Sequence, residues 1–206
     1  MLEAGKVSSL PFGPLTGSAV HLCIDMQRMF AEQTPWHVPW MKRVVPPILR
    51  IARAFPARTT FTRFIPPVRA ALAPGTWRRY YERWSEFTGE RVAPHYLSLL
   101  PEFLELTPPA TVLDKQFYSP FSESQLHASL QERKVDSIVV TGGETDVCVL
   151  AAVLDAVDLG YRVVIASDAL CSVSDEAHEN LLQLFSGRFQ QQIEVASSEM
   201  ILQAWL

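Results

Sequence analysis

The sequence predicts an α/β protein: a three-layer α/β/α sandwich on a six-stranded, mostly parallel, Rossmann-like sheet. Two observations lead to this prediction. Short apolar runs alternate along the chain with helical patterns, as they do in βαβ units. Most of these runs also lack the polar alternation of a half-exposed strand, which is expected when helices cover both faces of a parallel sheet. The 206 residues are typical of one domain, so we predict a single domain over residues 1–206.

Six strands are predicted from short runs rich in apolar and β-branched residues. They cover residues 18–25, 59–64, 111–114, 137–141, 161–166 and 192–195. The fourth strand is expected to stop at Gly142 and Gly143, because a glycine pair interrupts a strand pattern. Residues 1–17, rich in Gly, Pro and Ser, are expected to be an irregular arm.

Helices are predicted between the strands from apolar residues at helical spacing. They cover residues 41–55, 122–133, 147–159, 175–185 and 197–205. The first is expected to begin near Pro46, since proline is tolerated in a first turn. Ser122 and Gln125 form a capping box for the second, and Gly160 ends the third.

Residues 66–107 break the alternation and are interpreted as an aromatic-rich insertion. Trp77, Tyr80, Tyr81 and Trp84 stand at i, i+3, i+4 and i+7, which is one face of a helix. That face either packs on the domain or on a second subunit, or forms a lid over a pocket. In the lid interpretation, Trp77 and Tyr81 contact the substrate.

Charge and composition restrict the classes of function. The net charge is −4, which argues against nucleic-acid binding because that binding rests on neutralising phosphates. Three cysteines are too few for a disulfide framework and favour a reducing, cytoplasmic location. The longest apolar run, residues 147–154, is far shorter than a membrane span. A small-molecule substrate is therefore the expected partner, with no membrane and no nucleic acid.

The carboxyl ends of the strands are where ligands bind in open α/β sheets. Asp25, Lys115 and Cys148 all stand at such ends or in the turn that follows. A desolvated carboxylate suits proton transfer, and a cysteine in the first turn of a helix has a favoured thiolate. Alone, Asp25 could equally cap a turn, Lys115 could be solvated and Cys148 could be buried in the core.

Two further residues at the end of the second strand are candidates for substrate binding. Arg63 either binds a substrate carboxylate through its two-pronged guanidinium or forms a structural ion pair. Phe64 follows it at the strand end.

Three segments together resemble the signatures of the isochorismatase-like cysteine hydrolases, a superfamily that includes nicotinamidases and N-carbamoylsarcosine amidohydrolases. The segments are IDMQRMF at residues 24–30, KQFYSPF at 115–121 and TGGETDVCV at 141–149. The resemblance runs from about residue 18 to about residue 200. It implies a six-stranded parallel sheet between helices and a single hydrolase domain, usually dimeric or tetrameric, hence a homodimer or homotetramer.

The resemblance also implies catalytic roles. Cys148 is the nucleophile, Asp25 exchanges protons with it and with the leaving group, and Lys115 orients and charge-balances the pair. A cis peptide bond joins Gly143 to Glu144, and the backbone N–H groups of Glu144 and Cys148 form an oxyanion hole. Phe30 lines the pocket, and Tyr118, within the second signature, is a further candidate for substrate contact.

The implied reaction is hydrolysis of a C–N bond in a small amide, carbamoyl or ureido compound through a thioester. Nicotinamidases of this superfamily carry an Asp-x-His metal motif after the second strand, where this chain reads FTRFIPP at residues 61–67. We therefore predict no metal and no cofactor. Two alternatives stay open: an isochorismatase-like vinyl ether hydrolase, which needs no thiol, and a catalytically silent binding protein of the same fold.

Overall fold

The computed structural model describes residues 10–122 and 125–206. The first nine residues of the predicted arm, and positions 123 and 124 within the predicted 122–133 helix, lie outside this range. None of the described helices is long and apolar enough to cross a lipid bilayer.

Six strands form one sheet within the described residues. They are β1 (Ala19–Ile24), β2 (Thr59–Phe64), β3 (Thr111–Lys115), β4 (Ser137–Gly143), β5 (Arg162–Cys171) and β6 (Ile193–Ala196). Their order is β3-β2-β1-β4-β5-β6, and every neighbouring pair is parallel. The predicted fold class is therefore confirmed. The order reverses direction beside β1, so β1 and β4 border the switch point at which such sheets bind ligands.

Eight α-helices occur in the described part of the chain. They are α1 (Arg28–Ala31), α2 (Met41–Ala54), α3 (Thr76–Arg83), α4 (Pro101–Leu104), α5 (Gln125–Glu132), α6 (Leu150–Asp158), α7 (Asp175–Gly187) and α8 (Ser198–Ala204). Helices α2 and α8 and the insertion contribute to the core on one face of the sheet, and α5, α6 and α7 to the core on the other.

Strand β1 shows why the strands carry no polar alternation. Its six residues are all buried. Ala19 and Cys23 belong to the core on one face of the sheet, whereas Val20, Leu22 and Ile24 belong to the core on the other. Both faces therefore select apolar side chains.

Helix α2 differs from the prediction that it begins near Pro46. It runs from Met41 through Pro46 and Pro47, which lie inside it. The two prolines remove the donors that would pair with the carbonyls of Lys42 and Arg43. Both of those residues are exposed, so water can reach their carbonyl groups. The buried face of the helix keeps its contacts, which explains why the helix continues.

Strand β4 also differs from its prediction, because it continues through Gly142 and Gly143. Gly142 has φ +103°, and an ideal Cβ on it would lie 2.1 Å from the carbonyl oxygen of Ile24. The glycine is therefore needed for close approach of two backbones. Beyond a register shift, Gly142 pairs with Leu170 and Gly143 with Cys171, which extends β5 to Cys171 rather than residue 166.

The insertion at 66–107 lies between β2 and β3 and contains α3, α4 and three short 3-10 turns, Ala70–Leu72, Ser85–Phe87 and Pro94–Leu97. Its aromatic side chains pack on the core. Trp36, from the loop before α2, stacks on Phe87 with ring centroids 3.8 Å apart and also contacts Tyr80 and Trp84. The insertion thus forms one wall above the carboxyl ends of the strands.

Candidate active site

Asp25 follows β1 directly and is buried. Its backbone has φ +49°, a left-handed conformation that aspartate tolerates better than most residues. Thr62 of β2 holds it in two ways: its Oγ1 donates to Asp25 Oδ1 at 2.5 Å and accepts the Asp25 N–H at 3.1 Å. The carboxylate is therefore fixed by the neighbouring strand, with Oδ2 left for another partner.

Lys115 is the last residue of β3, and its side chain is fully buried. Its Nζ donates to Asp25 Oδ2 at 2.6 Å and to the Phe117 carbonyl at 3.1 Å. It also lies 3.6 Å from Cys148 Sγ and 5.0 Å from the centroid of the Phe64 ring. Burial lowers the pKa of Lys115, but the carboxylate charge of Asp25 and the hydrogen bond to it outweigh burial, and the net pKa is raised. The lysine therefore stays an ammonium ion.

Cys148 lies in a π-helical turn, Thr145–Val149, that precedes α6. The Glu144 carbonyl accepts the N–H groups of Val147 at 3.1 Å and Val149 at 3.0 Å, which closes the wide turn. Cys148 is 7% exposed, and its Sγ lies 3.6 Å from Lys115 Nζ. The sequence predicts a continuous helix from residue 147; the structure instead places the cysteine one turn before the helix proper.

The pKa of the Cys148 thiol is raised, contrary to the expectation of a favoured thiolate. Burial is the largest cause, because it penalises the charged form, and the negative charge of Asp25 acts in the same direction. Lys115 lowers the pKa without reversing the shift. Burial thus outweighs the neighbouring lysine in setting the direction of the shift in the Cys148 pKa.

The turn around Cys148 is held by polar contacts from β5 and α7. Thr145 Oγ1 donates to the Cys171 carbonyl at 3.1 Å and accepts from His178 Nδ1 at 2.8 Å. Ser172 donates to Asp146 at 2.5 Å. The Gly143–Glu144 peptide bond is cis, at the position that the family resemblance implies.

A cavity of about 140 Å³ opens in front of the cysteine. Its walls are mostly apolar and aromatic: Phe30, Pro35, Trp36, Phe64, Tyr80, Tyr118, Gly143, Glu144, Val147, Cys148 and Val173. Three of the candidate substrate-binding residues, Phe30, Phe64 and Tyr118, lie in this wall. Asp25 and Lys115 stand behind Cys148, so a ligand in the cavity meets the sulfur first.

Three other candidate substrate-binding residues lie elsewhere. Arg63 forms a two-pronged ion pair with Asp114, at 2.7 and 2.8 Å, on the surface beside β3. It adopts the structural alternative, because neighbouring strand residues point to opposite faces and Phe64 takes the inward direction. Tyr81 is 1% exposed and packs in the core. Trp77 lines a separate, neighbouring cavity, and its ring centroid lies 4.7 Å from that of Tyr118. Arg63, Trp77 and Tyr81 therefore do not line the cavity in front of Cys148.

Tyr80 and Trp36 line the cavity instead, and sequence reasoning missed both as substrate contacts. Tyr80 belongs to the aromatic face of α3, and the helical spacing alone does not reveal which aromatic of that face points at the site. Trp36 lies in an irregular segment with no periodicity, so only tertiary packing identifies it.

A metal site of the nicotinamidase type does not fit this chain. Phe64 is followed by Ile65, Pro66 and Pro67. His95, the next histidine, is exposed, and its ring centroid lies 4.1 Å from that of Tyr96 in a tilted arrangement. Across residues 10–122 and 125–206, no group of three or more His, Cys, Asp or Glu side chains is arranged to hold a metal ion.

The fold and the site together define a Rossmann-like α/β protein with a buried Asp–Lys–Cys group at the carboxyl ends of a parallel sheet. Comparison with known families then makes the assignment specific. The isochorismatase domain matches residues 19–199, and the chain belongs to this family. The resemblance seen in the three signatures is thereby confirmed. The family consists of hydrolases that include nicotinamidases and amidohydrolases.

Curated relatives match the chain at moderate identity. It is 32% identical over 100 residues to the uncharacterized isochorismatase family protein PncA of Bacillus subtilis, covering 48% of this chain and 55% of that one. It is 32% identical to maleamate amidohydrolase of Pseudomonas putida over 36% of each chain. A probable inactive nicotinamidase of Arabidopsis thaliana is 27% identical over 79% of this chain and 86% of the relative. The chain spans about half or less of the length of the first two relatives.

Solved structures show the same fold. A cysteine hydrolase from Pseudomonas syringae pv. phaseolicola superimposes with a TM-score of 0.75 at 23% identity, covering 91% of this chain and 92% of that one. An isochorismatase family protein from Desulfovibrio vulgaris gives 0.76 at 22% identity, covering 90% and 97%. At these identities the likeness establishes the fold.

Proposed function

We propose that the protein is a cysteine-dependent amidohydrolase that cleaves the C–N bond of a small amide, carbamoyl or ureido compound through a thioester. One observation carries the proposal. The Lys115 ammonium contacts both the Asp25 carboxylate, at 2.6 Å, and Cys148 Sγ, at 3.6 Å, behind a cavity that the sulfur lines. A fixed positive charge thus contacts both a candidate nucleophile and a candidate proton acceptor, an arrangement that suits covalent catalysis.

The first half-reaction forms the thioester. As Cys148 Sγ bonds to the carbonyl carbon, its proton passes to Asp25, and the carbonyl oxygen becomes an oxyanion. The N–H groups of Glu144 and Cys148 stabilise this oxyanion. The C–N bond then breaks, Asp25 gives its proton to the departing nitrogen, and ammonia or an amine leaves.

The second half-reaction releases the product. Water attacks the thioester carbon while Asp25 accepts one of its protons. The C–S bond breaks, the sulfur regains a proton from Asp25, and a carboxylic or carbamic acid departs. Lys115 balances the carboxylate charge between these steps. The raised thiol pKa agrees with this scheme, because the proton transfer belongs to the reaction rather than preceding it.

An ammonia-release screen of small amides, carbamoyl compounds and ureas tests the proposal. We expect turnover by the wild-type chain and a loss of at least about 1,000-fold in Cys148→Ala and in Asp25→Asn, as for other covalent catalytic groups. Cys23→Ala is the matched control, since Cys23 is a buried cysteine of β1 that does not line the cavity. Full hydrolysis by Cys148→Ala would contradict the proposal and favour a reaction that needs no thiol.

A silent binding protein of the same fold is the second candidate. The burial of Cys148 and the raised pKa of its thiol favour it, because a structural cysteine in the core has the same properties. Compounds that raise the melting temperature of the protein and are never hydrolysed would support this candidate over the first.

The quaternary structure and location extend the proposal. We propose a homodimer or homotetramer acting on a small molecule in the cytoplasm. Val68 and Leu72 of the insertion are 55% and 59% exposed, which suits a subunit interface. The three cysteines are all free thiols, which suits a reducing compartment. Light scattering coupled to size-exclusion chromatography measures the mass, and a monomer would contradict the oligomer.

A further inference from the structure

A second cavity of about 520 Å³ adjoins the catalytic cavity on the outer side of α3. Tyr80 and Tyr118 line both cavities, so the two adjoin at these side chains. The second cavity is called the arginine groove here. It is lined by Thr76, Trp77, Arg79, Tyr80, Arg83, Trp84 and Tyr118.

Two positively charged side chains, those of Arg79 and Arg83, line the arginine groove. Arg79 and Arg83 stand four residues apart on α3, so their side chains share one face of the helix. Neither forms an ion pair with any described residue, whereas Arg78 on the same helix pairs with Glu82 at 3.0 Å. Like charges at this spacing repel each other. An anion between them removes that repulsion.

Position and chemistry both favour an anionic ligand. Arg83 lies 5.1 Å from the Trp84 ring centroid, a contact that restrains its guanidinium. The groove has no acidic residue among its described lining residues, although the chain as a whole carries a net charge of −4. The described residues that line the cavity in front of Cys148 include one acidic side chain, that of Glu144, and no basic one. A negative group on the substrate is therefore disfavoured near the sulfur and favoured in the groove.

We propose that the arginine groove is a subsite for an anionic tail of the substrate, a carboxylate or phosphate bound by Arg79 and Arg83. The inference rests on the proposed function in one respect: the other end of the same molecule presents its carbonyl group to Cys148. The substrate class is thus a small amide, carbamoyl or ureido compound with a negative group at its far end, whose chain passes between Tyr80 and Tyr118.

Matched covalent probes test the subsite without a known substrate. The iodoacetyl amide of 4-aminobutanoate carries a carboxylate tail, and N-pentyl iodoacetamide is its uncharged counterpart of similar length. In both, Cys148 Sγ forms a bond to the methylene carbon, iodide leaves, and the thiol proton passes to Asp25 or buffer. Mass spectrometry locates the adduct, and the rate at subsaturating probe is measured at one pH.

We expect the wild-type protein to react at least about 10-fold faster with the carboxylate probe, and this preference to shrink at high salt. The Arg79→Gln/Arg83→Gln variant should lose the preference while keeping the wild-type rate with the neutral probe. Arg78→Gln is the matched control, because Arg78 is exposed on the same helix but paired with Glu82. No preference in the wild-type protein, or an equal loss in Arg78→Gln, would overturn the inference.

A second measurement separates failure of the subsite from failure of the proposed function. Glutarate is titrated against tryptophan fluorescence, since Trp77 and Trp84 line the groove. A saturable response that is at least 10-fold weaker in Arg79→Gln/Arg83→Gln supports the subsite even if Cys148 proves unreactive. Absence of a saturable response to glutarate, together with equal probe rates, overturns it whatever amide hydrolysis shows.

Discussion

The buried pair of Lys115 and Asp25 determines both the chemistry and the stability of the site. Replacing Lys115 by Met leaves the Asp25 carboxylate buried without its cation, which typically destabilises a protein by about 3–5 kcal/mol. We expect the Lys115→Met/Asp25→Asn double variant to lose less stability than the sum of its single variants, because no uncompensated charge remains. Urea unfolding of the four proteins measures this coupling, and strictly additive losses would contradict it.

His21 gives a prediction of pH dependence. Its ring is buried between two threonines, with Nδ1 3.2 Å from Thr59 Oγ1 and Nε2 2.8 Å from Thr141 Oγ1. Thr59 Oγ1 donates its own proton to the Phe55 carbonyl, so His21 Nδ1 must be the donor and Nε2 the acceptor of a neutral ring. Burial lowers the pKa of His21 to about 3.

The direction of the pH dependence of stability follows from whether the folded or the unfolded state binds the proton. Between about pH 3 and about pH 6.5, the unfolded chain protonates this histidine and the folded chain does not, so stability falls as the pH falls. The contribution is about 1.4 kcal/mol per pH unit in that window. Urea unfolding from pH 7 to pH 4 should show a shallower loss in His21→Gln than in the wild-type chain. His95→Gln, at an exposed position, should keep the wild-type slope, and identical slopes in all three proteins would contradict the prediction.

At the residue scale, the sequence predicts the position of a chemical group better than the direction of a side chain. Asp25, Lys115 and Cys148 were found because the ends of parallel strands meet at one edge and because three motifs mark those ends. Arg63 stands beside Phe64 on the same strand end, yet it points away from the site. The direction of the Arg63 side chain depends on which face of the sheet the insertion covers. The local sequence does not predict that face.

Gly142 shows how one position in a strand supports the buried carboxylate of Asp25. A Cβ there would lie 2.1 Å from the Ile24 carbonyl oxygen and 2.6 Å from the Ile24 nitrogen, so Gly142→Ala must displace β1 directly before Asp25. We expect a destabilisation of about 3 kcal/mol, the upper range for a strained backbone conformation, and a marked loss of turnover. Gly187→Ala, at the end of α7 with open space around it, should be neutral or slightly stabilising. A stable and active Gly142→Ala would contradict the close approach of the two strands.

The elements themselves were largely predictable, and the exceptions have physical causes. Strand patterns identified all six strands. β1 and β4 are buried throughout, whereas β3 is largely exposed apart from Lys115 and was recognised from its β-branched residues. The continuation of β4 through Gly142 and Gly143 was missed because a glycine pair reads as a break when the neighbouring backbone is unknown. The π-helical turn at Thr145–Val149 was missed because its wide hydrogen-bonding pattern has no compositional signature.

At the scale of the whole molecule, the insertion was the least predictable part. Its aromatic residues were recognised as one helical face, but their division between core and cavity depends on Trp36 from a distant loop. The volume of the catalytic cavity, and therefore the size of the substrate, is set by that division. The shape of the cavity thus follows from tertiary packing, whereas the family is recognisable from the three motifs.

A group of charges with a structural role lies on β5 and β6, the last pair of strands in the sheet. Arg162, where β5 begins, donates to both carboxylate oxygens of Glu194 in β6, at 2.6 and 3.1 Å. The same pair holds the N-terminal segment: Arg162 donates to the Gly13 carbonyl at 2.7 Å, and Glu194 accepts the Phe12 N–H at 3.0 Å. The Glu194 side chain is 1% exposed and that of Arg162 is 19% exposed.

Glu194→Gln therefore tests whether the Arg162–Glu194 pair contributes to stability without affecting the chemistry of the Cys148 site. Removing one partner of a buried ion pair leaves the other charge uncompensated, and the partial exposure of Arg162 reduces the cost to about 2 kcal/mol. Proteolysis near residues 10–14 should become faster, while Cys148 alkylation in the folded protein stays at the wild-type rate, because the site lies at the far ends of the strands. The exposed Arg28–Glu32 pair is the control, and Glu32→Gln should lose no more than about 0.5 kcal/mol. A change in Cys148 reactivity in Glu194→Gln would show instead that the Arg162–Glu194 pair and the Cys148 site are coupled through β5.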